Sequence, residues 1–578
     1  MTATTPSTTT SPWRFAVIGL VGVLAVAIGI AAGSFLLSAR TAALGGGASY
    51  VPASAPFYFE MRLEPSAAQD AALRELLGRF PPIDGVDLAR PLYEQLTETL
   101  DETLSAQSNS ISWSEDVATW FDGRVGVALL DFPVQTMVDP LAAPAIPPMV
   151  FLLGVTDQAE ASAAIGRVFE GSFGAPTFTD QAHAGTTIHV AEGGMGAYAL
   201  TSDQLLIAPA AADIEAALDA RASGSTTLAE AAEITQLTDA LPADWLAFGV
   251  YDMTDLVAAA FDEAAGAAPE MEAFRDLFEN QSLRGAIAIT ASGDRIAIET
   301  VADPPTGPLA VSNADRGLAD EVPSDVLFYT EAGSLGAALS ASIGPMTDTL
   351  AAMPGMAEQL EMVEDALGAD IEEMVAWMGD GAAAVGWDGT LPYGGMVIVP
   401  TDAEDARRRL DQLATFAGLA SLDPTTGISV SERDVDGVSV TCIRWADPNA
   451  GTQQMPAPMA PPEVVVEYAV TDDRVYLGVG DAFMGRVIGL DEGDSLASVA
   501  RYTDAIAAMG GAANTGVAWA DLRGVRDAIF EAVGPESAFG FDAMWGGLLP
   551  WVEPLDRLVS VSRIDGGVLI GTFALLVD

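Results

Sequence analysis

Hydrophobic and polar positions alternate along this chain in three different rhythms, and each predicts a different element. The first is an unbroken uncharged run from Phe15 to Ser38, bounded by Arg14 and Arg40. At 1.5 Å per residue, a helix of that length reaches roughly 36 Å, enough to cross a hydrocarbon core with some tilt. The run exceeds a secretory apolar region, and Leu37-Ser38-Ala39 puts Leu where a signal peptidase wants a small residue. The expectation is therefore an uncleaved N-terminal transmembrane helix at 15–38. Gly29 and Gly33 have the spacing that lets two such helices approach.

The second rhythm has period two. Short runs such as Phe57–Leu63, Arg124–Phe132, Val150–Val155, Ala197–Thr201, Gln204–Ala208, Trp245–Tyr251 and Arg295–Val301 predict strands, several joined by tight turns. The third has the 3.6-residue period of amphipathic helices: Ala67–Arg79, Leu88–Leu104, Gln158–Phe169, Ala212–Ala222 and Thr254–Ala264. Consecutive strands with short turns, interrupted by helices, predict an α+β fold with largely antiparallel sheets. The Pro-rich stretches Pro140–Pro148 and Pro448–Pro462 predict exposed loops.

The patterns recur. Val51-Pro52-Ala53-Ser54-Ala55-Pro56-Phe57-Tyr58-Phe59-Glu60 matches Val322-Pro323-Ser324-Asp325-Val326-Leu327-Phe328-Tyr329-Thr330-Glu331 on the skeleton V-P-x4-F-Y-x-E. Trp120 has a counterpart in Trp377, Thr156-Asp157 in Thr401-Asp402, and Tyr198-Ala199-Leu200-Thr201 in Tyr468-Ala469-Val470-Thr471. Four matches in one order, at offsets of roughly 245 to 271, indicate a duplication. The predicted organisation is a cytoplasmic tail (1–14), the transmembrane helix (15–38), a linker (39–49), module one (50–303), a linker (304–319) and module two (320–578), the modules being homologous and mixed α/β.

Composition then removes chemistry. The chain has 25 basic and 81 acidic residues, a formal net charge of −56, and every basic residue is Arg. Without Lys there is no Walker-type phosphate loop and no Schiff-base enzyme. One Cys and two His exclude a cysteine zinc site, a protein-held iron–sulfur cluster and a three-histidine metal site. An acidic surface repels phosphate backbones, so no nucleic-acid partner is expected. No cofactor is expected either.

The start V-P-x4-F-Y-x-E at Val51 and the Trp120 region, ending in Gly123-Arg124-Val125-Gly126-Val127-Ala128-Leu129-Leu130, follow the apolar run. In these features the chain resembles the bacterial family catalogued as domain of unknown function 3352. The resemblance implies an anchored bacterial surface protein and carries no catalytic residues.

No catalytic, cofactor or metal residue stands out. His183 and His189 lack a nucleophile elbow, since Gly333-Ser334-Leu335-Gly336 is not G-x-S-x-G. Glu60 and Glu331 hold equivalent places, with Tyr58 and Glu60 on one strand face. They suggest either a symmetric groove or, more simply, strand-end carboxylates satisfying backbone donors. Gly478, Gly480 and Gly485 make a poor dinucleotide fingerprint. Cys442 is expected as a buried small hydrophobe, and Arg407-Arg408-Arg409 as a salt-bridged helix face.

The functional expectation is a membrane-anchored extracytoplasmic protein, single-pass with its N-terminus cytoplasmic. It would have a non-enzymatic binding or scaffolding role at the cell envelope and an envelope protein partner or self-association. The alternatives are an envelope hydrolase with a carboxylate site invisible in sequence, and a carrier of an apolar ligand.

Overall fold

The computed structural model describes residues 45–578 apart from 108–111, 133–146, 174–177, 193–195, 223–225, most of 268–280, 354, 390, 424–425, 447–463 and 534–546. The segments 1–14 and 15–38 and most of the two Pro-rich loops lie outside the described residues. In the first half the strands are β1 (Phe57–Arg62), β2 (Phe121–Leu129), β3 (Met149–Val155), β4 (Phe178–His183), β5 (Thr186–Ala191), β6 (Ala197–Leu200), β7 (Gln204–Ala208), β8 (Ala247–Asp252), β9 (Arg284–Ser292) and β10 (Arg295–Ala302). The second half has β11 (Val326–Ala332), β12 (Met378–Trp387), β13 (Pro392–Pro400), β14 (Ile428–Val435), β15 (Val438–Trp445), β16 (Val464–Val470), β17 (Val475–Val479), β18 (Gly516–Asp521), β19 (Leu555–Asp565) and β20 (Val568–Val577).

All pairings are antiparallel. They run β4-β5-β6-β7-β3-β2-β1-β8-β9-β10 through the first half. The same pattern, β14-β15-β16-β17-β13-β12-β11-β18-β19-β20, runs through the second. β10 then pairs with β20 in unbroken register from Arg295↔Leu576 to Ala302↔Leu569.

This corrects the expected fold class of a transmembrane helix followed by two modules with their own sheets. One continuous 20-stranded sheet runs through both halves. Among the described residues no helix is long and apolar enough to cross a membrane. The physical reason for the single sheet lies in the last strand of each half. β10 and β20 are apolar strands whose free edges would each expose a row of N–H and C=O groups, and joining them removes both edges. Nor is the stretch just before residue 50 a free linker: Gly46–Tyr50 is a 3-10 turn whose Ala48 and Tyr50 are buried.

Helices cover both sheet faces. On one face Tyr58, Ala128, Leu152 and Leu206 pack with Ile214, Ala217 and Leu218 of helix Ala211–Ala222 and Ile234 of helix Ala232–Thr238. The neighbouring strand positions Leu153 and Leu205 point to the opposite face, where Trp120 and helix Gln158–Phe173 meet them. The second half repeats this, with Trp377 and helix Ala403–Ala420 in those places.

The recurring motifs have a local job. Trp120 Nε1 donates to the Asp116 carbonyl at 2.7 Å and Trp377 Nε1 to the Met374 carbonyl at 2.8 Å. The Thr156 and Thr401 amides return to the Trp120 and Trp377 carbonyls at 2.7 and 2.8 Å. The next residues, Asp157 and Asp402, accept from the first amides of the following helices. Such caps satisfy donors that a helix N-terminus leaves without partners.

Candidate functional site

The most chemically distinctive feature is a buried Tyr–Glu pair that occurs in each half. The strand alternation of β1 puts Tyr58 and Glu60 side by side on the inner face, and Tyr58 Oη donates to Glu60 Oε2 at 2.5 Å. In β11 the Tyr329 hydroxyl donates to Glu331 Oε2 at 2.6 Å. Glu60 is only 2% exposed and Glu331 is likewise buried. Both sit within strands paired on either side, Glu60 between Gly126 and Phe248 and Glu331 between Ala382 and Val517. They are therefore not strand-end caps. Burial raises the proton affinity of both carboxyls, against the hydrogen bond from the tyrosine and the nearby arginines. It also pushes the Tyr58 and Tyr329 hydroxyls well above the phenol range. Each carboxyl and each hydroxyl thus holds its own proton more tightly than it would in water.

The two pairs receive their counter-charge from different places. Beside Glu60 it is Arg124, on β2, which also holds Asp122 through Nε at 2.9 Å and Nη2 at 2.6 Å. Beside Glu331 it is Arg316, which precedes the 3-10 turn Leu318–Glu321 and has its side chain 2% exposed. Register and the V-P motif make Arg316 the counterpart of Gly45, and make Asp380, the ion partner of Arg316, the counterpart of Arg124. The cation has moved from the sheet to the incoming chain, and an anion has taken its former position.

Around the first pair the side chains are cut back. A Cβ on Gly45 would overlap the Glu60 carboxylate, and one on Gly154 would overlap Asp122. The counterparts of Gly45, Gly47, Gly126 and Gly154 in the second half are Arg316, Leu318, Ala382 and Val399, so each glycine is replaced by a residue with a side chain.

The other residues singled out from the sequence are dispersed. His183 Nε2 lies 2.7 Å from Asp219, and His189 Nδ1 lies 2.7 Å from Asp180 with its ring stacked on Tyr198. Both are on the β4–β5 hairpin at one end of the sheet. Ser334 lies in the other half, at a strand-to-helix turn with φ +55°, and its amide bonds Asp380. No serine–histidine constellation is assembled from these residues. Cys442 is buried, but it is more than a small hydrophobe: its thiol lies 3.0 Å from Oε1 of the fully buried Glu467, which Arg433 holds bidentately. Burial pushes the thiol pKa up. Arg407, Arg408 and Arg409 engage the Val470 carbonyl, Asp405 and Glu373 respectively. Gly478 is a strand residue beside Phe483, and Gly480 a turn at φ +84°. Among the described residues no group of three His, Cys, Asp or Glu could hold a metal ion.

Two features carry no linear signal. Asp556, 1% exposed, receives Arg501, Arg523 and Arg557. Arg557 is its neighbour on β19, but Arg501 and Arg523 come from the helices Ala500–Met509 and Leu522–Val533, and only the fold brings them in. The second is an apolar row across the second half. The directly opposed residues Phe328↔Val385, Val385↔Gly394, Gly394↔Val479, Val479↔Val466 and Val466↔Ile443 cross six strands. Within it Phe328, Val385, Val479 and Val466 are 41–57% exposed. The helix Ala403–Ala420 covers the same face only further along these strands, over Met396, Leu477 and Tyr468.

A family model described as "Protein of unknown function (DUF3352)" matches residues 15–535, and the chain belongs to that family. No curated protein and no solved structure matches it.

Proposed function

We propose that this member of the family is a non-enzymatic binding or scaffolding protein of the bacterial cell envelope, carried at the membrane by the apolar run Phe15–Ser38, with the residues after it extracytoplasmic. The observation that carries the binding role is the row Phe328–Val385–Gly394–Val479–Val466, which the described residues leave exposed. Contiguous apolar surface on a folded domain marks a place where something else docks. The rest of the surface carries most of a −56 charge and resists non-specific association. The buried carboxylates support the same reading. Glu60 and Glu331 are enclosed and tied to tyrosines, so neither is presented to a substrate. The partner in this reading is another envelope protein with an apolar face.

The test places a photo-crosslinking residue at Val479 and a control at an exposed position outside the row, in cells carrying the full chain. A discrete adduct specific to Val479 supports the role. Equal labelling at both positions, or none at Val479, opposes it. Protease added to intact protoplasts tests the location: the body is expected to be removed, and its survival until lysis would reverse the topology.

A further inference from the structure

The Glu60 carboxylate has one oxygen satisfied and one not. Oε2 accepts from Tyr58, whereas Oε1 is buried and accepts no hydrogen bond from the described residues. Leaving a buried acceptor without a donor is costly, the more so if it is charged, so a partner is expected. Oε1 faces a cavity of about 10 Å³, lined by Tyr58, Glu60, Arg124, Gln204, Leu152 and three glycines. That space is near the lower limit for a single water, and the lining supplies several polar groups besides the carboxylate.

We propose that this cavity is a binding site for one water molecule, which donates to Glu60 Oε1 and is held by the Gln204 and Arg124 side chains that share the space. Three observations exclude the other small ligands. A metal ion would find one carboxylate oxygen and a neighbouring guanidinium, too few oxygens and the wrong field. Ammonium meets the same cation. An apolar gas would leave Oε1 without a donor. The site is carved by the chain itself: Gly47, Gly126 and Gly154 line it, and Gly45 lies against the carboxylate. A Cβ on Gly47 would lie 2.7 Å from Tyr58 Oη, and one on Gly126 3.2 Å from the same atom.

The second half is the internal control. There the counterpart carboxylate, Glu331, has Asn514 as well as Tyr329 for hydrogen bonding, and Arg316 stands where Gly45 would be. Neither of its oxygens is among the buried atoms without a partner. The water on the carboxylate therefore belongs to the first half only; in the second, side chains serve the Glu331 oxygens, and the buried atom there without a hydrogen-bond partner among the described residues is Arg316 Nε, 3.4 Å from Asp380 Oδ2.

The experiment is a high-resolution crystal structure of the full chain, with a second data set from crystals soaked in thallium(I), whose anomalous signal marks monovalent cation sites. The expected result is one peak within hydrogen-bond distance of Glu60 Oε1, no anomalous signal there, and no such peak at Glu331. An anomalous peak at Glu60 would make it a cation site and overturn the proposal. So would the lack of any peak, or a protein donor found on Oε1.

Discussion

Glu299 on β10 and Thr572 on β20 face each other across the junction of the two halves, and they hold the same place in their respective hairpins. A twofold pseudo-axis therefore passes between them, and the chain is built like an isologous dimer whose two copies have been joined. Because the axis runs through a strand pair, each half closes the other's sheet edge.

The same contact gives a first prediction. Burial raises the proton affinity of Glu299, and its neighbour across the strand is an uncharged threonine. Thr572→Glu would set two carboxylates directly opposite, at a cost of about 0.2–1 kcal/mol. Urea denaturation at neutral pH should show the loss and Thr572→Arg should not. Equal effects from both variants would mean that packing, not charge, sets the tolerance here.

Glu60 should impose a pH dependence of definite sign. A carboxyl whose folded-state pKa is raised contributes stability that is fully present below its unfolded pKa and lost as pH rises through the folded value. Glu60→Gln removes that contribution. The melting temperature of the natural protein, minus that of the variant, is expected to fall as pH rises from about 4 to about 7. The other acids titrate in both proteins and largely cancel in the difference. A difference that is flat or grows with pH would contradict the assignment.

The exchanged counter-charges predict unequal mutants. Arg316 is enclosed beside the buried Glu331, while its ion partner Asp380 is 37% exposed and screened by water, so Arg316→Ala leaves one buried carboxyl uncompensated, at roughly 3 kcal/mol. Arg124 is 39% exposed at its side chain, so water screens its pair with Asp122 and can take over part of its field at Glu60; Arg124→Ala should cost less than Arg316→Ala, about 1 kcal/mol. Adding Glu331→Gln to Arg316→Ala should recover part of the loss, and additivity of the two single effects would rule out direct coupling.

At Asp556 three arginines converge on one buried carboxylate. Asp556→Ala removes charge-assisted hydrogen bonds worth about 1.5–3 kcal/mol each in favourable cases. Arg501 and Arg523 are partly exposed and regain water, so a net loss of roughly 2 kcal/mol is expected. Denaturant midpoints of the two proteins measure it; a loss below about 0.5 kcal/mol would mark the cluster as surface decoration.

Salt should stabilise the body. With 81 acids against 25 arginines most carboxylates have no cationic partner, and repulsion among them opposes compaction. The screening length falls from about 10 Å at 0.1 M to about 3 Å at 1 M. The melting temperature is therefore expected to climb with sodium chloride. A fall would show that ion pairs such as Arg474–Glu321 and Arg486–Asp325 outweigh the repulsion.

Local pattern by itself determined most elements and their duplicated order. Period-two and 3.6-residue rhythms are written in neighbouring residues, so β1, β3, β7 and the helix after Asp157 were legible, as was the shared face of Tyr58 and Glu60. β4 was not, because Phe178–His183 is a largely exposed edge strand with no apolar alternation. Its turn, Ala184-Gly185, uses positive φ at both positions with an alanine where the usual signal has Asn or Asp. Three things were decided only in three dimensions. The fusion of both halves into one sheet depends on two strand edges, 273 residues apart where Glu299 meets Thr572, coming together. The burial of Glu60 and Glu331 depends on the strands and helices stacked over them, which turn an apparent strand-end acid into an enclosed Tyr–Glu pair. The exchange of Arg124 for Arg316 is invisible along the chain because electrostatic compensation is set by distance in space. A guanidinium serves equally well from a strand or from an incoming turn, provided the fold brings it to the same buried carboxylate.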